Sequence, residues 1–281
     1  VAMRLGRRLV AGLAVMGAMA ASVTGAHADD RFEYVAMGDS AAAGPFVPHQ
    51  DINLLCLRSD RNYPAVAAKA LGAVLTDVSC SGATTEHLAT RQFGVVRAQY
   101  EALKPSTDLV SLTIGANDLD LFTTALSCVN VFPEPLGVSC HDRMTADGRD
   151  TMAEAVAAWA PTFGAVIDEI RSRAPHARIV VTGYGTYIRE GGCYPRQPVW
   201  ARDADYLQGV MNRLSAAIRA EAEKRGAVYV DFAAITVGHD ICAPWDERYL
   251  EGLVPTDAAA PLHPNAKGMA AFGAAVAAAA R

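Results

Sequence analysis

The chain has 281 residues, about half of them apolar, and a formal charge of −5. That length admits one large domain or two small ones. The acidic balance argues against nucleic acid and against anionic membrane surfaces as partners, because both select basic faces. At the amino-terminal end, residues 1–8 carry Arg4, Arg7 and Arg8 and no acid, Leu9 to Ala21 is apolar, and Ala26-His27-Ala28 fits a small-x-small cleavage site. This is the pattern of a secretory signal peptide over residues 1–28, followed by a single domain over 29–281. Its apolar core is shorter than the ~20 residues that span a bilayer, so no stable membrane insertion is expected. Loss of the three arginines changes the formal charge from −5 to −8.

Beyond the leader, short runs rich in β-formers alternate with alanine-rich stretches, the pattern of one α/β domain. Strands are expected at Phe32–Met37, Ala73–Val78, Asp108–Ile114, Arg178–Thr182 and Val228–Phe232. Three of these read as nearly continuous apolar runs, as strands buried on both faces of a parallel sheet do. Helices are expected at Tyr63–Leu71, Val95–Leu103, Asp150–Arg173 (disturbed at Pro161), Ala204–Arg225 and Ala266–Ala280. In the fourth of these, Leu207, Val210, Met211, Leu214 and Ile218 recur at helical spacing and read as ordinary core.

Four connections are long, at about 41–60, 119–148, 184–202 and 233–262. In an open parallel sheet, function gathers in the loops beyond the carboxyl ends of the strands. All six cysteines, Cys56, Cys80, Cys128, Cys140, Cys193 and Cys242, fall in or beside such loops. An even number in an oxidising compartment points to disulfides, with 15 pairings open. Pairing of neighbours is favoured: Cys56 with Cys80, Cys128 with Cys140 and Cys193 with Cys242. No Cys-x-x-Cys and no histidine at ligand spacing from a cysteine suggest zinc.

Four short stretches carry candidate chemistry. Gly38-Asp39-Ser40 ends the first strand and is followed by three alanines. Taken alone, such a serine is more often a helix cap than a nucleophile. Here the small residues give access to its hydroxyl, and a helix starting at Ser40 would aim free N–H groups at whatever that hydroxyl attacks. Cys80-Ser81-Gly82-Ala83 follows the second strand, where the Gly82 N–H is a candidate donor beside a turn without a side chain. Gly115-Ala116-Asn117-Asp118 follows the third, and the Asn117 amide is a neutral donor for a developing oxyanion, although Asn-Asp is also an ordinary turn. His263-Pro264 precedes the last helix, where a terminal loop can return an imidazole over the sheet as a base for the serine. His49, His87, His141, His176 and His239 have no comparable setting.

In this order, the four stretches resemble the SGNH hydrolases, also called the GDSL family, over nearly the whole mature chain. The cysteines, the leader and the size look most like its secreted, three-disulfide lipase/esterase branch, which supports the neighbour pairing above. The resemblance implies a flavodoxin-like three-layer sandwich with a five-stranded parallel sheet flanked by helices. It also implies Ser40 and His263 as catalytic residues and the Ser40 N–H, Gly82 N–H and Asn117 amide as the oxyanion hole. One departure matters: the family's usual acid, three residues before the histidine, is replaced by Ala260. The carbonyl of Ala260 or Pro261 is therefore expected to orient His263, with Asp257 as the alternative. A carbonyl fixes tautomer and ring direction but supplies less charge.

The expected reaction is acyl transfer to water through an acyl-serine, with no metal or organic cofactor and with a small-molecule or lipid ester as partner. The protein is expected to act as a secreted bacterial monomer, extracellular or at the cell envelope. Apolar loop residues (Phe46, Val47, Pro48, Leu54, Leu55, Leu57, Leu119, Leu121, Phe122, Val131, Phe132 and Val138) would suit an aliphatic acyl chain, or else pack beneath their own disulfide-tied loops. Acetylated sugar is the enzymatic alternative, with Tyr184, Tyr187, Tyr194, Trp200 and Trp245 as the loop aromatics available for stacking. An acyltransferase and a catalytically silent binding module are the remaining readings.

Overall fold

Five strands carry the fold, and each begins or ends within two residues of its expected place. They are β1 (Glu33–Gly38), β2 (Val74–Asp77), β3 (Leu109–Thr113), β4 (Arg178–Thr182) and β5 (Val228–Val230). The computed structural model describes residues 1–2, 31–52 and 54–281, and the expected signal peptide lies outside them apart from its first two residues. Residues 31–281 form one compact unit. All strand pairs are parallel in the order β2-β1-β3-β4-β5. β3 lies at the centre with β1 and β4 beside it, and the five residues of β3 are all buried, which is why its run is nearly all apolar. β2, at an edge, alternates exposed with half-buried residues.

Helices cover both faces. α2 (Tyr63–Leu71) packs on the last helix, α9 (Ala266–Ala279), and on the other face α6 (Thr151–Arg173) packs on α7 (Ala201–Lys224). Between α2, α9 and the short α8 (Phe232–Thr236), Phe232 stacks on Phe272 and meets Tyr63 edge-on. The buried hydroxyls between the sheet and this layer are paired: Tyr34 with Ser111 at 2.6 Å, Tyr63 with Thr113 at 2.9 Å, and Thr113 with Thr182 at 2.6 Å. α6 runs through Pro161 as one element of 23 residues, where a disturbance was expected, and its Asp150 is the cap rather than the first helical residue.

Two expectations fail. Val95–Leu103 is not an α-helix; only Gln99–Ala102 winds, as a 3-10 turn. Gln92 and Val96 pair there as an antiparallel bridge. The Gln99 amide is buried and latches both backbone groups of Gly38, accepting from its N–H at 2.7 Å and donating to its carbonyl at 2.9 Å. A tertiary pair of hydrogen bonds thus outcompetes local propensity. The fifth strand also stops early. Asp231 caps α8 through the Ala234 N–H, so Phe232 is helical rather than extended. A short α1 (Ser40–Ala43) starts where a helix was expected, and α3 (Glu86–Ala89), α4 (Leu121–Ser127) and α5 (Cys140–Met144) are short helices that were not expected.

The cysteines pair as neighbours, Cys56–Cys80, Cys128–Cys140 and Cys193–Cys242. The last closes a loop of 49 residues, and loop-entropy arithmetic gives it roughly 4 kcal/mol of stabilisation. Cys193→Ala/Cys242→Ala should therefore melt on the order of 10 °C lower, as read by circular dichroism without reductant. An unchanged melting temperature would show that the bridge constrains nothing in the unfolded chain.

Candidate active site

The site sits where the chain leaves the neighbouring strands β1 and β3, whose connections run to opposite faces of the sheet. In a doubly wound sheet this switch point leaves a crevice at the carboxyl ends. Gly38 ends β1 at φ 141°, and a Cβ there would lie 2.3 Å from the Thr113 carbonyl of β3. Only glycine lets the two strand ends run this close. Asp39 then bonds the Thr113 carbonyl through its N–H and caps α1 through its side chain, which accepts from Ala41 N at 2.8 Å. The helix expected at Ser40 is a single turn of four residues, closed by Gly44. Its dipole is correspondingly small, and the local N–H groups are what it offers.

Ser40 Oγ lies 2.7 Å from His263 Nε2, and His263 Nδ1 lies 2.7 Å from the Pro261 carbonyl. A carbonyl only accepts, so the Nδ1 proton points at Pro261 and Nε2 is left to accept from the serine hydroxyl. The Ala260 carbonyl is occupied by the His263 backbone N–H at 3.2 Å, which leaves Pro261 as the orienting group. Asp257 is exposed and its carboxylate accepts from the neighbouring Ala258 N–H. Leu262 takes φ 59°, a left-handed conformation uncommon for leucine, between the orienting carbonyl and the imidazole that it orients. Desolvation holds the pKa of His263 below its ordinary 6.5, with the Pro261 bond acting in the opposite sense.

The expected donors converge beside this pair. Asn117 donates to the Ala83 carbonyl at 2.8 Å, which fixes the plane of its amide and leaves a second N–H free to face the site. Asp118 accepts from Thr85 N at 3.0 Å and from Thr85 Oγ1 at 2.5 Å, tying the loop after β3 to the loop after β2. Ser81 is held by the Cys56 carbonyl and by Gln92, beside the Cys56–Cys80 bridge. Gly82, at φ 79°, turns between these anchors. Among the described residues, neither the Ser40 N–H nor the Gly82 N–H donates to another protein group.

A buried support lies beneath the serine that the sequence reading did not find. Tyr184 donates its hydroxyl proton to Asp39 Oδ2 at 2.5 Å, and its oxygen accepts from Ala116 N–H at 2.9 Å. One side chain from the end of β4 thus links the turn that carries Ser40 to the turn that carries Asn117. Asp39 has its pKa pushed up to about 7, chiefly by burial and against its hydrogen bonds to Tyr184 and Ala41. Tyr184 and Trp200 are therefore not exposed faces for sugars: both are buried, and Trp200 Nε1 donates to the Phe132 carbonyl. Only Trp245 of the five loop aromatics is broadly exposed.

A cavity of about 330 Å³ opens at Ser40 and His263. Its walls include Leu57 and Leu121, Phe122 from α4, and Leu207, Val210 and Met211 from α7. The apolar loop residues divide. Leu57, Leu121 and Phe122 line the cavity, Val47 and Leu119 are buried, and Phe46, Leu54, Leu55, Val131, Phe132 and Val138 are exposed. The α7 stripe is core at Leu214 and Ile218 as expected, while Leu207, Val210 and Met211 also face the cavity, because helical periodicity marks an apolar face without saying whether protein or ligand will cover it.

An open parallel sheet with a serine–histidine pair and amide donors at its switch point, beside an apolar cavity, defines a protein built for acyl-ester chemistry. Residues 36–271 match the GDSL-like Lipase/Acylhydrolase family. The chain is also 38% identical over 278 residues to a protein of Streptomyces coelicolor named Lipase 2, covering 94% of this chain and 93% of that one. The solved structure of a phospholipase A1 from Streptomyces albidoflavus NA297 is similar at a TM-score of 0.72 and 27% identity, over 89% of this chain and 99% of that one. An extracellular lipase from Streptomyces rimosus is similar at a TM-score of 0.72 and 28% identity, over 88% and 99%. The chain belongs to the GDSL-like lipase/acylhydrolase family and is a hydrolase of ester bonds.

Proposed function

We propose that the protein is a secreted, monomeric carboxylesterase or lipase that cleaves aliphatic acyl esters through an acyl-serine intermediate. The observation that carries this reading is the 2.7 Å contact of Ser40 Oγ with His263 Nε2 at the mouth of an apolar cavity. Ser40 attacks the ester carbonyl as His263 takes its proton. The tetrahedral oxyanion is held by the Ser40 and Gly82 N–H groups and the free N–H of Asn117. His263 returns the proton to the leaving alcohol, and water repeats the sequence on the acyl-enzyme. Orientation of His263 by the Pro261 carbonyl makes this a dyad rather than a triad. Support for secretion comes from the three disulfides, from the leader pattern and from the similar Streptomyces rimosus protein described as extracellular. The monomer reading is supported by the serine, the imidazole and the amide donors all coming from one chain. Burial of Tyr184 and Trp200 and the apolar wall both favour acyl chains over sugar acetates.

A fluorophosphonate probe tests the nucleophile: labelling should map to Ser40, and a folded, unlabelled chain would leave the binding-module reading in its place. Hydrolysis of p-nitrophenyl esters from acetate to palmitate, beside an acetylated glycan, tests the acyl assignment.

The pH dependence has a definite sign. His263 works as a base only when neutral, and desolvation favours that neutral form. The group should therefore keep its basic form as pH falls through 6.5 and lose it only below. Asp39 titrates in the same region, so the imidazole C–H resonance of His263 followed by NMR is the measurement to pair with kcat/KM. A His263 midpoint at or above 6.5 would contradict the desolvated setting.

A further inference from the structure

Twenty residues from Leu121 to Cys140 contain one charged side chain, Glu134, and that carboxylate is engaged by Arg202. They form α4 and the loop closed by Cys128–Cys140. The loop has its polar group inside and its apolar groups outside. Asn130 is buried, and its side chain bonds both backbone groups of Val138, donating to the carbonyl at 3.0 Å and accepting from the N–H at 3.1 Å. Gly137 packs against the same amide, where a Cβ would lie 2.2 Å from Asn130 Oδ1. Around this polar hub, Val131, Phe132, Leu136 and Val138 are exposed to between 58% and 72%. The disulfide, the Asn130 hub and the Trp200 bond to the Phe132 carbonyl hold the loop in this form, so the exposure is built into a braced structure.

The platform is continuous with the site. At its base, Val129 pairs with Val199, which lines the cavity. On α4, Phe122 and Leu126 lie one turn apart and are both partly exposed, and Phe122 also lines the cavity, its ring 6.3 Å from that of His263. We propose that α4 and the Cys128–Cys140 loop form a lipid-contacting platform that seats the protein on an uncharged or zwitterionic acyl-lipid surface, with the cavity mouth beside it. The inference rests on the acyl-ester reading of the cavity. A contiguous apolar surface with its one charge already paired offers a protein partner little to recognise by charge, whereas it suits the apolar layer beneath lipid headgroups. An anionic surface would meet an acidic chain, of formal charge −5 with the leader and −8 without its three arginines.

The test is the triple variant Val131→Ser/Phe132→Ser/Leu136→Ser, none of whose residues lines the cavity, beside Val74→Ser, an exposed apolar residue at the amino-terminal end of β2. Dissolved p-nitrophenyl butyrate reads the site alone. Co-sedimentation of the Ser40→Ala protein with phosphatidylcholine vesicles, without and with the triple substitution, reads the platform alone. The platform variant should keep its melting temperature and its kcat/KM on dissolved ester. It should lose at least about tenfold in vesicle binding and in hydrolysis of a tributyrin emulsion, and Val74→Ser should lose neither. A parent protein that ignores the vesicles, or a triple variant that binds them equally, overturns the inference even if dissolved ester is cleaved. A parent dimer that the triple substitution dissociates, with no vesicle binding, overturns it in favour of a second copy of the chain. Failure to cleave dissolved ester would instead count against the proposed function.

Discussion

Ser40→Ala is expected to leave ester hydrolysis near background, a loss of at least ~10⁴ in kcat/KM, because the hydroxyl paired with the base is the one that forms the acyl intermediate. The hydroxyl is the atom in contact with His263 Nε2, and Ala41, Ala42 and Ala43 beside it offer no substitute. His263→Ala should lose a comparable factor, since the serine would keep its proton. The double variant should be little worse than either, because residues that act as a unit lose their contribution together. Stability should barely change in Ser40→Ala, which gives up one partly buried hydrogen bond worth about 1 kcal/mol. Asp257→Asn is the companion control. Its carboxylate faces solvent and accepts from Ala258 N–H, so kcat/KM should stay within about threefold. Two outcomes would sink the assignment: a Ser40→Ala enzyme within tenfold of the parent, or an Asp257→Asn enzyme as dead as His263→Ala.

Asn117→Ala should lower kcat by about 10²–10³ with KM little changed, as expected for a donor whose bond strengthens when charge develops on the oxygen. The size of the effect separates this role from a structural one. The amide also holds the Ala83 carbonyl, and loss of that bond costs about 1 kcal/mol of stability, against ~3–4 kcal/mol expected in the transition state. Single-turnover kinetics beside a denaturant melt measure the two separately. If kcat falls only threefold while the melt shifts, Asn117 is a tie between loops and the oxyanion is held by backbone N–H groups alone.

The turn after β1 shows how far reading along the chain can reach. Gly38-Asp39-Ser40 at the end of an apolar run already implies a tight turn with an accessible hydroxyl. Ala260, three residues before His263, already excludes a carboxylate at that place. Both are local facts about which side chain stands at which position. Why Gly38 must be glycine is a fact about Thr113, 75 positions away, whose carbonyl fills the space of a Cβ. The Gln99 latch on Gly38 and the Tyr184 link from Asp39 to Ala116 are of the same kind: each is a side-chain hydrogen bond across a large sequence separation, with no periodicity to announce it.

Periodicity and turn chemistry placed the five strands, most of the long helices and four short stretches at strand ends or in a terminal loop, and the resemblance to the GDSL family implied that the strands form one parallel sheet. These features depend on residues a few positions apart, so they are written in the order of the chain. The contact of His263 Nδ1 with the Pro261 carbonyl rather than that of Ala260, and the division of apolar residues among core, cavity wall and exposed surface, come only from three dimensions. So does the 3-10 turn in place of a helix before Leu103. Each of these depends on which of several chemically suitable partners comes within about 3 or 4 Å, and that is set by how the elements pack, not by the identity of the residues themselves.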